Sequence, residues 1–185
     1  MRHLPNAICL VRIALVWPVF AAIERGELTL ALILFAVAAV SDGLDGYLAK
    51  RFHWTSDLGR FLDPLADKLL LVAVFLACVW QGLVPLWLAV AAIARDVMIG
   101  GGALVFRLWF GALGGHPTVV SKVNTALQIA VLVFAMIDGA GHVDLQGLVF
   151  VLAVLTLMTT VWSGADYIAR FLRRAWALTG LEAGR

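Results

Sequence analysis

Apolar residues dominate long stretches of this chain, and the polar ones gather where those stretches end. The pattern predicts six helical spans. The first runs from Pro5 to Ile23 and ends in the turn Glu24-Arg25-Gly26-Glu27. The second begins at Leu28 and continues to about Ala49, and the third runs from Asp63 to Trp80, stopping at Gly82. A fourth extends from Pro85 to Trp109, interrupted by Gly100-Gly101-Gly102. After the loop Gly111–Pro117, a fifth covers Val119 to Ile137 and a sixth Leu145 to Phe171. A bilayer core of about 30 Å needs roughly 20 apolar residues per helix, so each stretch has the length of a crossing.

Composition agrees with that reading. Of the 185 residues, 63% are hydrophobic and only 14% charged, which leaves too little polar side chain to wet the outside of a soluble domain of this size. The expectation is an all-α integral membrane protein, a six-helix bundle forming a single domain over residues 1–185. Five tryptophans, at positions 17, 54, 80, 87 and 109, lie near span ends, as in an interfacial belt.

Orientation follows from the basic residues. With the N-terminus cytoplasmic, the inner segments hold Arg2, Lys50, Arg51, Arg60, Arg107, Lys122, Arg170, Arg173, Arg174 and Arg185, and the outer turns hold only Arg25. This asymmetry predicts both termini inside. A formal charge of +2 gives no reason to expect nucleic acid as a partner. Cys9 and Cys78 lie in apolar runs and read as packing residues. The first segment is too long for a signal-peptide core and contains Arg12, so it reads as a retained span.

The chemistry is concentrated in four aspartates. Asp42 and Asp45 are three residues apart on the second helix, with Gly46 and Ala49 following, and Asp63 and Asp67 are four apart at the start of the third. Each pair shares a helix face. The short reversal from Arg51 to Leu62 sets the two helices antiparallel and adjacent, so the pairs face each other across one cleft, with Asp57 off both faces in the loop. Charges at this depth are costly and functional as a rule. A donor set of carboxylates without His or Cys favours Mg²⁺ or Mn²⁺. Four carboxylates suffice for two such ions about 4 Å apart, an arrangement suited to phosphoryl displacement. Interfacial salt bridges with Arg51, Arg60 and Lys68 are the bland alternative, but they require neither spacing.

Asp42-x2-Asp45-Gly46-x2-Ala49-Lys50-x8-Gly59-x3-Asp63-x3-Asp67 resembles the signature of the CDP-alcohol phosphatidyltransferases, matching seven of eight defined positions across 26 residues. The departure is Lys50, where the family has Arg; the charge is kept and the bidentate fork is lost. The resemblance implies a homodimeric six-helix enzyme that transfers a phosphatidyl group from a CDP-linked lipid to an alcohol and releases CMP. It implies metal-ligand roles for Asp42, Asp45 and Asp63, and a double role for Asp67 as ligand and general base. Gly46, Ala49, Lys50 and Gly59 would line the nucleotide site.

Three further segments bear on the acceptor. Pro5-Asn6-x3-Leu10-x-Arg12 resembles the branches making phosphatidylglycerol phosphate and cardiolipin. Ala94-Arg95-Asp96-Val97-Met98 and the run from Pro117 to Gln128, including Ser121, Lys122 and Thr125, look like the mitochondrial-type cardiolipin synthases, which also occur in bacteria. The implied substrates are CDP-diacylglycerol and phosphatidylglycerol, with glycerol 3-phosphate as the alternative acceptor. The implied location is a bacterial cytoplasmic membrane with the site facing the cytoplasm. Asn6, Arg12, Arg95, Arg107, Ser121, Lys122 and Thr125 are the acceptor or lipid-phosphate candidates, since a phosphate would neutralise cations placed within spans or at their edges. The competing reading pairs Arg95 with Asp96 or Asp166 and lets Lys122 snorkel to the interface. A cation transporter using the same aspartates is the rival from another class, but its polar path should cross the whole bilayer. A catalytically silent scaffold would be expected to have lost one of the four acids.

Overall fold

The computed structural model describes the backbone of residues 4–52, 57–110, 118–141 and 143–182. It describes the side chains chiefly of residues 13–41, 68–102, 118–141 and 143–173. Within these residues the protein is all helical: α1 Leu4–Glu24, α2 Leu28–Phe52, α3 Asp57–Trp80, α4 Leu86–Phe110, α5 Val119–Gly139 and α6 Gln146–Glu182. The six predicted stretches thus appear as six helices. The loop over residues 111–117 lies outside the described residues.

Local chemistry explains the boundaries. At the end of α1, Gly26 takes a φ of 75°, its N–H donates to the Ile23 carbonyl, and the Glu27 N–H reaches back to Ala22. Gly82 repeats the device after α3, with φ 71° and bonds from Gly82 to Val79 and Leu83 to Cys78. Both are left-handed helix terminations in which two otherwise unpaired carbonyls are satisfied. The two turns are tied together where the Gln81 side chain donates to the Glu24 carbonyl at 2.6 Å. At the other end of the bundle, Thr118 caps α5 by accepting the Ser121 N–H at 3.1 Å.

Three expectations need correction. The third helix starts at Asp57, not Asp63, so Asp57 opens the helix instead of lying in a loop, and Gly59 is helical too. The sixth helix continues to Glu182, beyond Phe171. The fourth passes through Gly100, Gly101 and Gly102 without interruption. A helix in an apolar medium must satisfy its backbone within itself, which outweighs the weak propensity of glycine.

Among the described residues, α2 packs chiefly on α1 and α5, while α3 packs on α1, α4 and α5. The expected direct pairing of α2 with α3 is therefore not their main contact there; α1 is the helix on which both rest. Val19, Ile23, Ala31, Phe35, Val74, Phe75, Leu88, Leu132 and Met136 form the buried core. Outside, large apolar side chains are freely exposed, including Trp17, Trp80, Phe150, Val161 and Trp162. Inside, Arg95, Asn124, Gln128, Thr156, Thr160 and Ser163 are buried. A polar interior beneath an apolar coat is the arrangement lipid favours. Among the described residues, two helices are long and apolar enough to cross a membrane: Val119–Gly139 and Gln146–Arg173.

The glycines of α4 differ in what surrounds them. A Cβ at Gly102 would lie 3.2 Å from the Tyr167 ring, whereas at Gly100 or Gly101 it would meet nothing within 4 Å. Gly101→Ala should hold or raise the detergent-solubilised melting temperature, by up to about 1 kcal/mol of helix propensity. Gly102→Leu should lower it, by about 1–3 kcal/mol of overpacking. Equal melting temperatures for the two variants would contradict this packing.

Candidate functional site

Continuous helix runs through both halves of the aspartate motif. Asp42, Asp45, Gly46, Ala49 and Lys50 all belong to α2, and Gly59, Asp63 and Asp67 to the first three turns of α3. On such backbones residues three or four apart share a face, as the spacing requires. The side chains of these eight residues, and those of Asn6, Arg12 and Arg107, lie outside the described residues. Helix register puts each aspartate pair on one face of its own helix. Four carboxylates with no softer ligand suit a hard divalent cation, so the residues present fit the metal the motif implies.

The described part of this region begins one residue after Asp67. The Lys68 ammonium pairs with Asp96 Oδ2 on α4. The other oxygen of Asp96 accepts from Arg95 Nη1 at 2.7 Å. Arg95 Nη2 in turn donates to Ser121 Oγ on α5 at 2.6 Å and to Ser163 Oγ on α6 at 2.5 Å. One connected set of side chains thus joins four helices, α3 through α6. Arg95 is almost wholly buried, with 5% of its side chain exposed, against 11% for Asp96 and 41% for Lys68.

Charge is not balanced within this set. Two cations share one carboxylate, a net charge of +1 among the described residues. Arg95 Nε is buried without a hydrogen-bond partner among the described residues. A guanidinium withdrawn from water is costly unless its donors are met, and this one has a donor and a fraction of charge to spare. An anion placed beside it would supply both.

Polar contacts continue along the α5–α6 seam. Thr159 and Thr160 on α6 both donate to Asn124 Oδ1, each at 2.8 Å. Thr125 Oγ1 bonds back to the Ser121 carbonyl at 3.2 Å. Asn124 Nδ2 and Gln128 Nε2 are buried and without a partner among the described residues.

The structure sorts the acceptor candidates. Arg95 and Ser121 are brought together. Thr125 sits one turn on from Ser121, with its hydroxyl donating to the Ser121 carbonyl, and Lys122 is exposed. Arg95 is paired with Asp96, as its competing reading held, while Asp166 is taken by Arg170 at 3.0 Å. Sequence reasoning offered Asp96 as a partner of Arg95 but did not find Lys68 and Ser163 in that network, nor the separate contact of Asn124 with Thr159 and Thr160. A signal was present: Ser121, Asn124 and Gln128 fall at i, i+3 and i+7 on α5, and Thr156, Thr160 and Ser163 at i, i+4 and i+7 on α6. Two polar stripes of helical period in apolar helices can satisfy each other only by facing.

Comparison with known proteins agrees with the motif. Residues 2–162 match the family model described as CDP-alcohol phosphatidyltransferase. A protein of Drosophila melanogaster named probable cardiolipin synthase (CMP-forming) is 32% identical over 187 residues, covering 89% of this chain and 56% of its own length. This chain thus spans a little over half of the fly protein. The cardiolipin synthase (CMP-forming) of Streptomyces coelicolor is 33% identical over 152 residues, covering 77% of this chain and 67% of that protein. An Escherichia coli protein named CDP-diacylglycerol–glycerol-3-phosphate 3-phosphatidyltransferase is 33% identical over 180 residues, covering 90% and 93%. With this match over most of its length, and with the aspartate motif carried on two continuous helices, the chain belongs to the CDP-alcohol phosphatidyltransferase family and is a transferase of phospholipid biosynthesis.

Proposed function

We propose that this protein is a cardiolipin synthase, moving the phosphatidyl group of CDP-diacylglycerol onto phosphatidylglycerol with release of CMP. The observation that carries an anionic acceptor is the charge beside α3: among the described residues, Arg95 and Lys68 share Asp96, and Arg95 Nε has no partner. An acceptor phosphodiester would meet both needs with charge-assisted hydrogen bonds. The same chemistry suits glycerol 3-phosphate, and the similarity to the E. coli phosphatidyltransferase supports that second reading.

In this proposal the whole chain is one membrane domain crossing six times, with both termini cytoplasmic, in a bacterial inner membrane, and it acts as a homodimer. Six helices of at least 21 residues, an exposed apolar coat and the inside-positive distribution of Lys and Arg support it. The aspartates then lie at the cytoplasmic face, where a nucleotide-activated lipid arrives. The four motif aspartates gather at one end of the bundle, and outside the end turns no acidic path continues from them to the other, which disfavours the transporter reading.

Asp42, Asp45, Asp63 and Asp67 would hold two divalent cations, Mg²⁺ or Mn²⁺, which supply neutralising charge for phosphoryl transfer. Gly46, Ala49 and Gly59 present little side chain, so a nucleotide can approach the helix backbones, and Lys50 offers a cation to its phosphates. Arg95 and Ser121 would orient the acceptor, with Asn6, Arg12, Arg107, Lys122 and Thr125 as further polar contacts at the same face. Asp67 takes the proton of the acceptor hydroxyl as its oxygen forms a bond to the lipid-side phosphorus. The bond from that phosphorus to the CMP phosphate oxygen breaks, and CMP leaves with the electron pair.

Three measurements test this reading. Purified protein given CDP-diacylglycerol should release CMP with phosphatidylglycerol and far more slowly with glycerol 3-phosphate; turnover with glycerol 3-phosphate alone would replace the first reading with the second. Asp67→Asn should cut CMP release by about 10²-fold or more, the usual scale for a positioned general base, in a protein that still inserts and folds. Near-normal turnover would remove Asp67 from the chemistry. Chelation should abolish activity, with Mg²⁺ or Mn²⁺ restoring it.

A further inference from the structure

We propose that Asp96 is a positioning residue for the transfer reaction: through Lys68 it fixes the rotation of α3, and so the direction of the Asp63–Asp67 turn. The inference rests on the reading of those aspartates as the metal and base set, and extends it to α4, which carries none of them.

Lys68 directly follows Asp67 on α3, and its ammonium is held by Asp96 Oδ2. Asp96 is itself held, because its second oxygen accepts from Arg95 Nη1, and Arg95 is fastened by Ser121 and Ser163. Lys68 thus bonds not to a loose surface acid but to a carboxylate anchored through a buried guanidinium to two more helices. Lys68 is 41% exposed, so solvent screens the ion pair and it contributes little to stability. Its worth lies in geometry.

The lever is short. Rotating α3 by about 20° would carry a carboxylate on its surface, roughly 5 Å from the axis, through roughly 2 Å. Displacements of about 1 Å from a reactive geometry can cost on the order of 10²-fold in rate. A weak ion pair that restrains rotation one residue from Asp67 can therefore matter greatly for turnover and hardly at all for folding. Apolar packing alone does not supply that restraint, since it is not directional. The Arg95–Asp96–Lys68 chain does.

Lys68→Met decides the matter, because it leaves Asp96 paired with Arg95 and no buried charge exposed to hydrocarbon. The expected result is a kcat for CMP release at least tenfold lower, KM for CDP-diacylglycerol within about twofold, and several-fold weaker Mn²⁺ binding by electron paramagnetic resonance. The melting temperature should hardly change. Lys68→Arg should restore most of the kcat. Asp96→Asn should lower kcat similarly where it folds, and the Lys68→Met/Asp96→Asn double variant should be no worse than the poorer single one. Asp166→Asn, which breaks an ion pair elsewhere on α6, serves as the unaffected control. A Lys68→Met protein with wild-type kcat and Mn²⁺ affinity would overturn the proposal. So would losses that follow melting temperature across all variants, the mark of a merely structural pair. Failure of the underlying functional reading is separate: the wild-type protein would then release no CMP with either acceptor.

Discussion

A guanidinium inside a helix bundle has to be met by polar groups from every side, and Arg95 organises this protein because of that need. Its donors reach Asp96 on its own helix, Ser121 on α5 and Ser163 on α6, and Asp96 carries the connection on to Lys68 on α3. The apolar contacts around it give cohesion without direction, since one hydrocarbon surface packs on another in many registers. Hydrogen bonds to a planar fork do not allow that latitude. The rotational setting of α3, α5 and α6 against α4 follows from this one residue more than from any run of leucines.

A second set of contacts accounts for further polar residues in helices so rich in hydrocarbon. Asn124 collects Thr159 and Thr160, and the α5–α6 seam is polar for two turns below Ser121. Elsewhere on these helices the buried residues are apolar, among them Val131, Leu132, Ala135 and Ala153. Polarity is thus concentrated toward the end of the bundle that holds the α2–α3 motif and the basic residues. The opposite end is closed by the glycine-terminated turns of α1 and α3 and by Asp138, whose carboxylate accepts the Leu145 N–H at 2.6 Å. Chemistry and closure are placed at opposite ends. For an enzyme whose substrates include a lipid and a nucleotide, that separation leaves one face free for polar ligands while the rest of the bundle packs against lipid.

Some of this was legible along the chain and some was not. The six helices were, because each apolar stretch has its own length and its own breakers; Gly26 and Gly82 end helices by local conformation alone. The start of α3 was misplaced. Residues 57–62 mix Asp57, Gly59 and Arg60 with Leu58, Phe61 and Leu62, a stretch too short and too mixed to show helical periodicity by itself. The glycines of α4 were read as an interruption because propensity was weighed without the medium, in which an unpaired backbone costs more than a glycine does. Arg95 was singled out as a cation without a surface role, but its partners lie 1, 26 and 68 residues away. Only the first of these is visible locally.

By itself, then, the sequence determined the class of protein, its helical segments and its family, and it assigned metal and base roles to four aspartates as an expectation. All of these rest on local spacing: hydropathy over twenty residues, acids three or four apart, glycines at fixed offsets. Tertiary structure decided which helices touch, that α1 rather than α3 is the main described neighbour of α2, and that Asp96 divides its charge between Arg95 and Lys68. The physical reason is that a buried charge is satisfied by whatever polar atoms the packing brings within 3 Å, and no periodicity along one helix specifies the face of another.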